Sequence, residues 1–332
     1  MKKQQAWGRP VRCGIVLAGG DGRRLRSFIT RSRGEALPKQ YVNLIGRRSM
    51  LEHTFDRVQR LIPAERVFTI ASRDHLDYLE AERQLANRPM GTVIMQPENK
   101  ETGPGLFLPL MHLHARYPDA VVAVFPSDHF IAEEALFMGH VDLACRVVER
   151  DPSRVVILGV EPDGMETEYG YIIPGHDVGM PTGLRRVARF VEKPAPEVIQ
   201  DLVQRGGLWN TMVMAFRTAT LLTMARRIAP AFFEMFQRIG AAVGTTRERA
   251  VVEQVYADMA PMNFSRCLLE ALPYQPRSPL TVLPVRGVFW SDLGSEERIA
   301  SVLDHTGYAE RLNGAGISAS PTETAPICAG AA

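Results

Sequence analysis

The stretch that most constrains this chain is residues 13–40, CGIVLAGGDGRRLRSFITRSRGEALPKQ. Ile15-Val16-Leu17-Ala18 is an apolar run of the length a buried strand uses. Gly19, Gly20 and Gly22 follow it at once. Residues without a side chain at the carboxyl end of a strand let backbone approach a ligand, and free N–H groups there can cradle phosphate. Arg23, Arg24, Arg26, Arg31 and Arg33 add fixed positive charge, and Lys39 stands behind Pro38. A tight glycine turn backed by cations suits a polyphosphate and the charge that develops when one is broken. The order G-G-x-G-x-R matches neither the dinucleotide fingerprint G-x-G-x-x-G nor the P-loop G-x-x-x-x-G-K-[ST]. A basic surface loop is the plain alternative.

Composition narrows the partners. With 332 residues, 45% of them hydrophobic, the chain can bury a sizeable core as one large domain or as one domain plus a small one. A net charge of +2 gives no reason to expect nucleic acid or a membrane surface. Single-stranded nucleic acid also wants cations interleaved with stacking aromatics, and here the arginines gather at one turn. No run approaches the ~18 apolar residues of a membrane span. The opening MKKQQAWGRP has no apolar core of the signal-peptide type, so a cytoplasmic location is expected. Cys13, Cys145, Cys267 and Cys328 are scattered, with no C-x-x-C pair, which indicates neither a disulfide scaffold nor a zinc site. The first three lie in apolar surroundings and are expected to be buried thiols.

Periodicity gives the order of elements. Residues 1–10 read as a loose lead-in, 14–18 as a strand, and 49–62 as an amphipathic helix that Ser49 and Glu52 can cap. Strands at 67–71, 92–95, 120–125 and 155–160 alternate with helices at 74–85, 105–116 and 132–150, and residues 96–104 read as a loop. That alternation implies parallel strands joined by right-handed crossovers. The rhythm then changes to two antiparallel strands at 169–174 and 183–192, a helix at 197–204 and a strand at 211–217. Helices at 218–228, 231–239 and 247–259 make a helical part over about 218–275. Strands at 282–285 and 288–290 and a closing helix at 295–303 follow. The expected fold is α/β, a Rossmann-like mixed sheet, mostly parallel and flanked by helices, over residues 11–305. Residues 306–332 turn to Gly, Ala, Ser, Thr and Pro and read as a disordered or loosely attached tail.

In open α/β sheets, ligands gather outside the carboxyl ends of strands. Residues 19–23 follow the first strand, Asp128 follows 121–125, Glu192 and Lys193 follow 189–191, and Asp292 follows Phe289-Trp290. Two carboxylates from distant parts of the chain could hold Mg²⁺, which takes few protein oxygens plus substrate phosphates. Taken alone, each reads sooner as a turn-forming Asp. His129 reads as a turn cap sooner than as a ligand or base, and Glu192–Lys193 as a surface pair.

Residues 17–25, LAGGDGRRL, with Leu37-Pro38-Lys39-Gln40, FPSDH at 125–129, EYGYI at 168–172, FVEKP at 190–194, LWN at 208–210 and WSDLG at 290–294, occur in the order found in one family. The chain resembles the sugar-1-phosphate nucleotidyltransferases, most closely the mannose-1-phosphate guanylyltransferases, over residues 12–304. The resemblance implies the glycosyltransferase A-type version of the fold and a transferase that joins a hexose-1-phosphate to GTP or another nucleoside triphosphate. It implies that Leu17, Ala18, Gly19, Gly20, Gly22, Gln96 and Thr102 meet the nucleotide. Arg23 and Lys39 would bind the triphosphate, and Asp128 and Asp292 would hold Mg²⁺. Gly170, Glu192 and Asn210 would meet the hexose, and Lys193 its phosphate. No cupin-like isomerase domain of the kind fused to some relatives is expected, and a homodimer is allowed. A weakly active relative that only binds a nucleotide sugar is the competing reading, which the joint presence of Arg23, Lys39, Asp128, Lys193 and Asp292 disfavours.

Four departures from the family pattern stand out, and the last three bear on substrate identity more than on reaction type. Leu25-Arg26-Ser27-Phe28 stands for L-x-P-L, and Lys100-Glu101-Thr102-Gly103-Pro104 for R-N-T-A-P. Trp209-Asn210-Thr211-Met212 stands for W-N-S-G, and Asn263-Phe264-Ser265 for S-I-D.

Overall fold

A computed structural model describes residues 10–179 and 183–307. Residues 1–9 of the lead-in, 308–332 of the tail and Cys328 lie outside the described residues.

The chain opens with β1 (Arg12–Ala18), α1 (Arg26–Arg33) and α2 (Met50–Gln59), then β2 (Val67–Ser72), α3 (Leu79–Ala86), β3 (Val93–Gln96) and α4 (Thr102–Arg116). Next come β4 (Val121–Pro126), a short β5 (Phe130–Ile131), α5 (Glu134–Arg150) and β6 (Val155–Val160). The second half holds β7 (Gly170–Asp177), β8 (Arg185–Glu192), α6 (Pro196–Gln204), β9 (Leu208–Arg217), α7 (Thr218–Ile228), α8 (Pro230–Ala242) and α9 (Glu248–Asp258). It closes with β10 (Leu280–Val285), β11 (Trp290–Ser291) and α10 (Glu296–Thr306).

Nine of these strands form one sheet in the order β3-β2-β1-β4-β9-β6-β10-β8-β7, and β5 pairs antiparallel with β11. β1, β2, β3 and β4 are mutually parallel, as strand–helix alternation requires. β9 runs against both β4 and β6, and β8 runs against β10 and β7. The sheet is therefore mixed, with β8 and β9 the strands that oppose the common direction.

Side-chain alternation places an apolar core on each face. Along β1, Cys13 and Ile15 enter one core while Val16 and Ala18 enter the other. Along β4, Val122 and Val124 face opposite to Val121, Ala123 and Phe125. One core is closed by α2, α5 and α10 through Phe55, Val141 and Ile299, the other by α4, α7, α8 and α9 through Phe107, Leu221, Phe236 and Val255. The helical part at 218–275 thus shares its core with the sheet.

Local rules explain most boundaries. Ser49 and Glu52 make the capping box that their spacing suggests, worth about 1 kcal/mol. Several elements differ from the periodicity reading, among them α1, for which it gives no helix, and β11, which lies at Trp290–Ser291 and not at 288–290. The helix read at 74–85 is a 3₁₀ turn and then α3. β9 begins at Leu208 because Trp209 pairs with Val160 and Tyr171. β5 is too short to show a period. The loop read at 96–104 gives way to α4 at Thr102, where the Gly103 amide donates to the Met262 carbonyl at 2.8 Å. Cys13 and Cys145 are buried as expected, whereas Cys267 is exposed. It sits in a turn over Ser265–Leu269 whose inward residues include Leu268 and Leu269.

Candidate active site

The loop after β1 is anchored from beneath. Gln40 Nε2 donates to the carbonyls of Ala18 and Gly20, both at 2.8 Å. The Gly19 carbonyl accepts from Ser72 Oγ at 2.9 Å and Gln96 Nε2 at 3.2 Å. A Cβ on Gly19 would lie 2.6 Å from Gln96 Nε2, so a larger residue would push that amide off its hydrogen bonds to Ser72 Oγ and the Gly19 carbonyl. Gly22 has φ 60°, and a Cβ there would meet the Lys39 amide nitrogen at 3.0 Å. Lys39 is thereby pressed under the loop. Ser127 Oγ donates to the Leu17 carbonyl at 2.7 Å, which sets the Asp128 turn beside the same loop.

Lys39 is the joint of the site. It is 7% exposed. Its Nζ lies 2.9 Å from Asp128 Oδ2 and donates to the Asp292 main-chain oxygen at 2.7 Å. One buried cation thus ties the turn after β4 to the loop after β11. The Asp292 carboxylate is held on all sides: Oδ1 accepts from Tyr169 OH at 2.9 Å, the Gly294 amide at 2.9 Å and Arg298 Nη1 at 2.7 Å, and Oδ2 faces Arg24 Nη2 at 3.1 Å. Burial alone would raise the pKa of both aspartates. Lys39 and His129 outweigh it at Asp128, and Lys39, Arg298, His129 and Arg24 outweigh it at Asp292, so both lie below the usual carboxylate range.

His129 is buried, and burial lowers its pKa to about 4 despite the neighbouring carboxylates. Its Nδ1 accepts from Trp290 Nε1 at 3.3 Å, and its Nε2 lies 3.7 Å from Asp128 Oδ1. It is a neutral ring that braces Asp128, a role its place in the turn did not disclose.

Two adjoining cavities meet at Leu17, Gly20, Gly22, Arg23 and Asp128. One, of about 610 Å³, reaches Gly19, Gln96, Thr102, Glu101 and Met212. The other, of about 490 Å³, reaches Arg24, Lys39, Glu168 and Lys193. So Leu17, Gly19, Gly20, Gly22, Arg23, Lys39, Gln96, Thr102, Asp128 and Lys193 all border one cleft. Ala18 is buried beneath it. Asp292, 8% exposed, touches it through Lys39 and Arg24. Gly170, Glu192 and Asn210 line neither cavity. Gly170 and Glu192 are cross-strand partners, and a Cβ on Gly170 would come 2.8 Å from Glu192 Oε2. Burial raises the Glu192 pKa, Lys193 opposes this, and Glu270 adds to it. Asn210 spends its Oδ1 on the Met212 amide at 3.0 Å.

Arg23 borders the cleft, but its guanidinium is 82% exposed and pairs with Asp21 at 2.9 Å. Arg24, one residue on, is the arginine that reaches Asp292 and Glu168. In a 3₁₀ turn, successive side chains point in different directions, and sequence spacing does not say which faces inward. The roles of Arg298, Tyr169 and Glu168 also escape a reading from sequence, since none follows a strand directly, although Glu168 and Tyr169 open the motif at 168–172. Among the described residues, five non-glycines have positive φ, and four of them, Glu101, Lys193, Met212 and Leu293, stand at or beside the cleft. Such strain costs on the order of 1–3 kcal/mol each and clusters where function demands it.

Asp128 and Asp292 are the carboxylates here that a divalent ion would draw on. Among the described residues no group of three or more His, Cys, Asp or Glu is placed to hold a metal. Two ionised aspartates are nevertheless the set Mg²⁺ uses when phosphates and water complete its shell.

A nucleotidyl transferase family model matches residues 13–306. The chain belongs to the nucleotidyl transferase family. Xanthan biosynthesis protein XanB of Xanthomonas campestris pv. campestris is 29% identical over 309 residues, covering 90% of this chain and 61% of that protein. A mannose-1-phosphate guanylyltransferase of Escherichia coli is 29% identical over 306 residues, covering 90% of this chain and 62% of that protein. The chain therefore spans about three-fifths of the length of these curated relatives. A solved structure from Thermus thermophilus, described as a mannose-1-phosphate geranyltransferase, superposes with a TM-score of 0.71 at 26% identity, covering 85% of this chain and 76% of the other. The mixed, helix-flanked sheet of this transferase is the expected fold. No described helix is long and apolar enough to cross a membrane.

Proposed function

We propose that the chain transfers a nucleotidyl group from GTP to mannose-1-phosphate, giving GDP-mannose and pyrophosphate. A phosphate oxygen of the sugar phosphate attacks the nucleotide α-phosphorus in line. The bond from that phosphorus to the β-phosphate bridging oxygen breaks, and pyrophosphate leaves with the electron pair. The attacking oxygen is ionised at neutral pH, so no general base is required.

The barrier is the alignment of two anions that repel, and of charge that grows on the leaving group. The loop at residues 19–22, with Gln96 and Thr102, receives the nucleotide. Lys39 and Arg24, with Arg23 at the rim, neutralise the triphosphate. Lys193 takes the sugar phosphate, and Gly170, Glu192 and Asn210 stand behind it for the hexose. Asp128 and Asp292 would hold Mg²⁺, which would neutralise phosphate charge when bound. Arg24 must release Asp292 Oδ2 for this, which its half-exposed side chain permits.

The observation that carries the reading is Lys39 Nζ bridging the Asp292 carbonyl and the Oδ2 of Asp128, a residue both cavities share. Glu101 and Met212 border the nucleotide side, so the base is the open variable. Initial rates of pyrophosphate release for four nucleoside triphosphates against several hexose-1-phosphates test it. GTP with mannose-1-phosphate is expected to lead, and equal use of UTP or dTTP would overturn the guanylyl assignment.

A further inference from the structure

The cations of the cleft do not wait bare for phosphate. Lys39 rests on Asp128, and Arg24 reaches Asp292. Lys193 rests on a residue of the 168–172 motif that has no assigned role: Glu168 Oε2 lies 3.1 Å from Lys193 Nζ, and the same oxygen lies 3.5 Å from Arg24 Nη1. A single carboxylate oxygen therefore sits between the arginine of the loop after β1 and the lysine at the end of β8. Both cations and Glu168 line the same cavity.

The frame around Glu168 is rigid while its head is free. The Lys193 amide donates to the Tyr169 carbonyl at 3.2 Å, which locks the two main chains together. Tyr169 packs on Trp209 and Trp290 and bonds Asp292. The Glu168 side chain itself is 43% exposed, and its hydrogen bonds among the described residues go to Lys193 and Arg24. The hydrogen bond from Lys193 chiefly holds its pKa down, so it is ionised at neutral pH.

We propose that Glu168 is an internal occupant of the phosphate seat between Lys193 and Arg24, and that an incoming phosphate ester must displace it. This inference rests on the reading that the Lys193 end takes the sugar phosphate. A carboxylate brings one negative charge to the two cations. A phosphate monoester brings nearly two at pH 7 and three strong acceptor oxygens. The dianion displaces the carboxylate where a monoanion does not, so Glu168 weakens phosphate affinity and sharpens selection by charge. Half-exposed ion pairs are individually weak, which makes the displacement cost roughly three- to tenfold in affinity.

Titration of the full chain with inorganic phosphate, read calorimetrically, together with the KM values for both substrates, tests this. Glu168→Gln is expected to bind phosphate three- to tenfold more tightly and to lower the KM for the sugar phosphate by a similar factor, with a smaller change for the nucleotide. Glu168→Asp, which keeps the charge on a shorter arm, should fall between the two. Weaker phosphate binding in Glu168→Gln would make Glu168 a support for Lys193 and overturn the inference, as would no change. Lys193→Ala separates this from the parent reading: if that variant binds phosphate as tightly as the unaltered chain, the assignment of the Lys193 end falls with it.

Discussion

The two halves of the cleft are built differently. On the nucleotide side, the loop after β1 rests on buried Gln40, Ser72, Gln96 and Ser127, and Lys39 is buried below it. On the Lys193 side, Arg24, Glu168 and Lys193 are each 43–47% exposed and share contacts at 3.1 and 3.5 Å. Buried polar groups must be satisfied and so fix one geometry. Exposed ion pairs are weak and exchange partners readily. The first half is fixed in one geometry, and the second, on the proposal made above, rearranges when a phosphate ester arrives.

The contrast is broken most severely at the joint. Lys39→Met removes the cation between Asp128 and Asp292. Pyrophosphate release should fall by about a thousandfold or more, and urea unfolding should show a loss of about 3 kcal/mol because a carboxylate is left without its partner. Asp128→Asn keeps the shape and removes one charge from the metal pair. Its rate should drop roughly a hundredfold with folding intact, and an unchanged rate would remove Asp128 from the metal site. Lys193→Ala probes the adaptable half. The KM for the sugar phosphate should rise about tenfold, with less change for the nucleotide, and the reverse pattern would reassign the lysine.

The effect spread most thinly, between pH 6.5 and about 4, is a pH dependence of stability on the rigid side. His129 has an ordinary value of 6.5 and is held to about 4 by burial. Between these values the unfolded chain binds more protons than the folded one, so stability falls as pH drops from 6.5 toward 4. The slope is up to about 1.4 kcal/mol per pH unit. His129→Gln, which can still accept from Trp290, should flatten it in urea titrations at successive pH values.

How far the sequence can be read follows the same division. The nucleotide side is written in short contiguous motifs, because strand, glycine turn and cation are neighbours in the chain, and Gly19, Gly20, Gly22, Lys39 and Asp128 are legible there. Motif position points to Arg23 ahead of Arg24, because a 3₁₀ turn gives no period by which to choose between them. Glu168 opens the motif at 168–172, but its role depends on a contact with Arg24 across 144 residues, and Arg298 reaches Asp292 from a helix that no motif covers. The same holds for the fold: β1 to β4 and β6 follow from hydrophobic period, whereas the early start of β9 and the two-residue β5 are set by their partners.

If the two halves hold two phosphate esters end to end across Lys39, neither substrate reacts without the other. Pyrophosphate release should be measured with magnesium and GTP alone, mannose-1-phosphate alone, and both together. Release should require both and equal the nucleotide sugar formed, one for one. Comparable pyrophosphate from the nucleotide alone, or none with both present, would contradict it.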